Sequence, residues 1–195
     1  MNQIRAPLIW CALSFVAIIP VLAAASSPLL AWREPIYIVA GFAGIIALVL
    51  MLFQPLLAAG YLPSLDIRHS RTLHQIIGLV LVLGVIVHVG GLWITSPPDV
   101  IDALLLRSPT QFSVWGVIAM WAVFATALLA AFRRRLRLRP RTWRFAHTAL
   151  AIVIALGTVI HALLIEGTME QTTKIVLCAC VLCATGRIVW NLRGR

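Results

Sequence analysis

The chain has 195 residues, of which 62% are hydrophobic and only 11% charged, with a formal net charge of +10; its mean hydropathy is +1.00. A soluble domain carries about 25% charged residues, and disordered chains are poor in apolar ones, so both classes are excluded. The basic excess does not point to nucleic acid either, because nearly half of it sits in one short loop between Arg133 and Arg144. The composition describes an all-α integral membrane protein whose solvent is the lipid bilayer.

A helix needs about 20 mostly apolar residues to cross the hydrocarbon core. Six stretches qualify, at 7–30, 35–59, 72–95, 109–132, 143–165 and 172–192. Prolines stand near the openings of the first, second and fourth, where a missing N–H is tolerated. The joints are short and polar, such as Ser96-Pro97-Pro98-Asp99 and Glu166-Gly167-Thr168. A single domain over 1–195 is expected. Arg5, the apolar run after it and Ala23-Ala24-Ala25-Ser26 imitate a signal peptide, but the run is longer than a usual signal core, so a retained first helix is expected.

With six spans, 13 basic residues fall on one side: Arg5, Arg68, Arg71, seven arginines from Arg133 to Arg144, and Arg187, Arg193 and Arg195. Only Arg33, Arg107 and Lys174 fall on the other. The positive-inside rule then places both termini in the cytoplasm of a bacterial-type inner membrane. Trp10, Trp143 and Trp190 mark one interface, and Trp32, Trp93 and Trp115 mark the other.

Four of the five histidines lie within spans. His74 and His88 are on the third span, His147 and His161 on the fifth, and each pair is 14 residues apart. That spacing is a rise of about 21 Å and a rotation about 40° short of four turns. Each helix therefore carries two imidazoles on nearly one face. Both helices run in the same direction, so His74 is level with His147 and His88 with His161.

A polar side chain in lipid is costly unless something satisfies it. Two level pairs ask for a partner that accepts an imidazole from each side, which haem iron does. Zinc wants tetrahedral geometry and further protein donors, and no Asp, Glu or Cys neighbours these histidines. Gly78, Gly84 and Gly157 lie one turn from a histidine and are expected to admit a flat macrocycle. Arg71 and Arg144 each stand three residues before a histidine, where a guanidinium suits a haem propionate. Two haem b groups are thus expected, with His74 and His147 on one iron and His88 and His161 on the other.

Arg71-Thr72-Leu73-His74 with His88, and Trp143-Arg144-Phe145-Ala146-His147 with His161, resemble the ferric reductase-like transmembrane family. That family includes ferric reductases, NADPH oxidases and the haem subunit of a periplasmic methionine sulfoxide reductase system. The resemblance implies a six-transmembrane-helix bundle holding haem between helices 3 and 5. The methionine sulfoxide reductase subunit generally has no histidine where His74 stands, so a general two-haem module is the nearer likeness. The spacing is also similar to that of the cytochrome b subunit of quinol-oxidising complexes.

The resemblance implies transmembrane electron transfer, with the chain as the membrane subunit of an oxidoreductase. The sequence shows no Gly-x-Gly-x-x-Gly, so the expected donor is a separate cytoplasmic flavoprotein reductase, supplying the flavin, or a quinol. The expected acceptor is ferric ion, oxygen or a periplasmic redox partner. No residue is expected to act as a catalytic group. A haem-binding anchor for a periplasmic reductase is the alternative. A haem-free proton or metal carrier is a weaker one, because the spans hold almost no Asp or Glu.

Three features are assigned lesser roles. His69 is expected in a solvated loop. Cys178, Cys180 and Cys183 form C-x-C-x-x-C, but free cysteine in an apolar helix acts as a small hydrophobe. Asp99, Asp102, Glu166 and Glu170 gather in loops opposite the arginine side, where acids attract incoming cations.

Overall fold

A computed structural model describes residues 5–193. Its helices are α1 (Arg5–Ala25), α2 (Pro35–Ala59), α3 (Ile67–Thr95), α4 (Pro97–Leu104), α5 (Gln111–Phe132), α6 (Pro140–Leu164) and α7 (Gln171–Arg193), with a 3₁₀ turn at Pro28–Leu30. All but α4 are long and apolar enough to cross a membrane, and no strand occurs among the described residues. The chain is a multi-pass helical membrane protein. Arg195 lies outside the described residues.

Most helix ends differ from the sequence expectation, and each difference has a local cause. The first helix stops at Ala25 rather than residue 30, where Ser26 bonds back to the Leu22 carbonyl and Ser27 caps the following turn. The third begins at Ile67, five residues early, because the Asp66 carboxylate accepts the His69 amide at 2.7 Å. The fifth span, α6, opens at Pro140, a proline at the first helical position. The joint at Ser96–Asp99 is itself the start of α4, and Ser96 Oγ donates to Asp99 there at 2.5 Å.

Two antiparallel hairpins, α2–α3 and α5–α6, carry the histidines, and α7 packs on α6, α2 and α1. Leu48 and Leu52 of α2, Val123 of α5, Val159 of α6 and Leu177 and Val181 of α7 share one core. The helix α3 buries only Ser70 and Leu81. Its Ile76, Leu79, Leu83 and Ile86 are exposed, as are Phe15, Ile18 and Leu22 of α1. An apolar band of this kind is stable only under lipid.

α3 and α6 make few close backbone approaches, fewer than either makes to its hairpin partner. The imidazoles meet across that interval. Leu81 lies midway between His74 and His88, and Ile154 midway between His147 and His161. Leu81 belongs to the shared apolar core and Ile154 packs against it.

Candidate functional site

The level farther from the arginine-rich loops is built alike on both hairpins. His88 Nδ1 donates to the Ala40 carbonyl of α2 at 2.7 Å, and His161 Nδ1 donates to the Phe112 carbonyl of α5 at 2.8 Å. One turn on from each acceptor is a glycine. A Cβ on Gly44 would lie 2.9 Å from His88 Nδ1, and one on Gly116 would lie 2.6 Å from His161 Nδ1. Real Cβ contacts do not come that close, so only glycine leaves room for the ring. A carbonyl accepts only, so each bond assigns the proton to Nδ1 and the lone pair to Nε2.

The level nearer the arginines is less regular. His74 Nδ1 donates to the Gln54 carbonyl at 3.1 Å, and Gln54 Nε2 donates to the His74 carbonyl at 3.3 Å. His147 has no such bond. Its Nδ1 and the Trp143 Nε1 are both buried without a partner among the described residues. Instead, the Trp143 ring stacks on His147, with centres 5.0 Å apart and planes 17° apart. The Arg133 guanidinium caps the same indole at 4.2 Å.

The structure brings His74 opposite His147, with ring centres 6.1 Å apart, and His88 opposite His161 at 6.4 Å. The ring planes cross at 67° and 80°. A metal–imidazole bond is about 2.0 Å and the ring centre lies about 1.1 Å behind the ligating nitrogen, so two imidazoles on opposite sides of one metal stand about 6.2 Å apart. Both levels fit that separation. No group of three or more His, Cys, Asp or Glu converges among the described residues. Each level therefore offers two donors, which suits a metal whose remaining positions are filled by a macrocycle.

Arg71 and Arg144 are exposed, each at the arginine-rich end of its helix, one turn from His74 and His147. His69 points outward and pairs with Asp66 at 2.9 Å. The glycines expected to open a ligand face do something else. Gly84 lies against Ala43 and Ala47 of α2, and Gly157 against Trp115 and Ala119 of α5. They bring each hairpin's helices together, and the histidines reach across to their carbonyls as a result. Of the four acids in the loops opposite the arginine side, Asp99 and Glu170 are occupied locally, by Ser96 and by the Thr172 and Thr173 amides.

Sequence reasoning missed Gly44, Gly116, Gln54 and Arg133. Gln54 carried a signal, since a glutamine inside an apolar span asks for a partner. The two glycines carried none. Which residue of α2 faces His88 depends on the register of an antiparallel hairpin, and loop length and packing set that register.

The fold and this site together define a helical membrane protein with two stacked imidazole pairs across one interval. A family model described as ferric reductase like transmembrane component matches residues 40–158. That is more than half of the chain, and it belongs to this family. The matched stretch holds Ala40, Gly44, His74, His88, Gly116 and His147; His161 lies three residues beyond it. No curated protein and no solved structure matches the chain.

Proposed function

We propose that the protein is a di-haem b transmembrane electron carrier. The observation that carries this reading is the pair of imidazole separations, 6.1 and 6.4 Å, each suited to one metal between two rings. His74 and His147 would hold one haem, and His88 and His161 the other. Bound there, haem supplies a one-electron redox couple at each level. Held by two histidines each, the haems would serve electron transfer rather than oxygen binding.

The chain's own residues supply the rest. The Ala40 and Phe112 carbonyls fix the orientation of His88 and His161. Leu81 and Ile154, two turns from each histidine of their helices, are apolar at the height between the levels. Arg71 and Arg144 stand where they can meet propionate carboxylates as guanidinium–carboxylate pairs.

The arginine-rich end faces the cytoplasm in this reading, because basic loops stay on that side of a bacterial-type inner membrane. Seven arginines from Arg133 to Arg144 make that face attractive to an acidic flavoprotein donor. A quinol is the other donor class. The opposite face would pass electrons to ferric ion, oxygen or a periplasmic redox partner.

The test is an optical spectrum of the detergent-purified protein, air-oxidised and then dithionite-reduced, with a pyridine haemochrome assay. About two b haems per chain are expected. Haem-free protein from haem-replete cells would overturn the proposal and favour a carrier that uses the histidines for protons or metal ions.

A further inference from the structure

The two histidine levels differ in how their rings are held. Farther from the arginines, both imidazoles donate to main-chain carbonyls through short bonds, 2.7 and 2.8 Å, in notches opened by Gly44 and Gly116. Nearer the arginines, one bond is 3.1 Å long and His147 has none. His147 is held by stacking on Trp143, which the Arg133 guanidinium caps from the loop.

A hydrogen bond from the far nitrogen of a ligating imidazole makes the ligating nitrogen more basic. A more basic ligand favours the oxidised, more positive metal and so lowers its reduction potential. Positive charge nearby acts the other way, because it disfavours the oxidised centre. The level near the arginines has weaker hydrogen bonds and a guanidinium over the indole that stacks on His147. Both features raise its potential. All four imidazoles are half-buried, and burial raises a potential at either level by disfavouring the charged oxidised iron. The variants below separate the terms, since they alter hydrogen bonding and stacking but not depth.

We propose that the two levels are electronically unequal, with His88 and His161 holding the lower-potential iron and His74 and His147 the higher, and that Trp143 is the positioning residue replacing the missing hydrogen bond on His147. The inference rests on the haem reading above. It concerns the relative potentials and the residues that set them, not the identity of donor or acceptor.

The experiment is a spectroelectrochemical titration of the full chain in detergent. Wild type is expected to titrate in two resolved steps. Gly44→Ala drives His88 off the Ala40 carbonyl and should shift the lower step upward, leaving the upper step in place. Trp143→Ala removes the indole that stacks on His147 and carries the Arg133 guanidinium and should shift only the upper step downward, while Trp143→Phe keeps a stacked ring and holds that step near its wild-type position. If Gly44→Ala loses a haem altogether, the lower step is the one expected to vanish. Coincident steps in wild type, an upper step that moves or vanishes in Gly44→Ala, or an upper step unmoved by Trp143→Ala would each overturn the proposal. A haem-free wild type would instead overturn the reading beneath it.

Discussion

Gly116→Ala tests the level farther from the arginines most directly. The added methyl would sit 2.6 Å from His161 Nδ1 and 2.7 Å from Cε1, where ordinary contact begins at 3.4 Å. The ring must therefore retreat by about 0.8 Å, which stretches its 2.8 Å bond to Phe112 beyond hydrogen-bonding range. Overpacking costs about 1–3 kcal/mol, and a buried donor left unpaired costs about 1–3 kcal/mol more. Even the lower bound, about 2 kcal/mol, exceeds a tenfold change in an equilibrium constant. If the histidine pairs hold haem as proposed, the haem on His88 and His161 should be held roughly 10–100-fold more weakly, the usual cost of losing a ligand's hydrogen-bond partner. The assay is haem per chain by pyridine haemochrome after washing in detergent, which should fall from near two toward one. Gly90→Ala, with nothing within 4 Å of the new methyl, is the control and should keep both haems. A Gly116→Ala protein with wild-type stoichiometry and an unchanged low-spin spectrum would refute the reasoning.

Three further outcomes are expected. His161→Ala should lose one haem per chain while His69→Ala keeps both, because His69 faces outward against Asp66; equal losses would remove the distinction. The Thr173 amide, then that of Thr172, holds the Glu170 carboxyl down to about 2 from an ordinary 4.5. A depressed carboxylate stabilises the fold fully above its ordinary value and loses that contribution as pH falls through the lowered one. The melting temperature of wild type should therefore drop between pH 4.5 and about 2 more steeply than that of Glu170→Gln, and parallel profiles would count against this. Lys174 is 3% exposed and donates at 2.7 Å to the Ile165 carbonyl that ends α6. A charge-assisted bond of this kind contributes about 1.5–3 kcal/mol, so Lys174→Met should melt several degrees lower, and an unchanged melting temperature would show the clamp to be idle.

The six spans were legible because lipid imposes a length and a composition on any helix that crosses it. Pro35–Ala59 matched its expected limits to the residue, since Glu34 and Pro35 open it and Gly60, at φ 67°, ends it. The level pairing of the histidines was legible too, because 14 residues is nearly a whole number of turns. Helix ends were less so, as Ser27 and Asp66 set them through side-chain caps that look like any other loop residue. The glycine notches were not legible. Gly44 and Gly84 read alike in sequence, yet one cradles an imidazole and the other seats a helix. The Arg133–Trp143–His147 stack likewise needs the chain to reverse between α5 and α6 before its members meet.

An imidazole in lipid has two nitrogens to satisfy, and that separates a ligand site from polar packing. At the level farther from the arginines each Nδ1–H is already bonded to a carbonyl. Each Nε2 is left as a bare lone pair, and the two rings stand 6.4 Å apart across one interval. Two acceptors in one apolar gap gain nothing from each other, and water is a poor guest unless several polar groups surround it. Histidines that only filled a core would be arranged differently, with one ring donating to the other. The two hairpins instead repeat one device, a carbonyl that takes the proton and a glycine one turn on that makes room for the ring. The device holds both lone pairs ready for an electrophile, and a metal in a macrocycle is an electrophile that needs only those two donors.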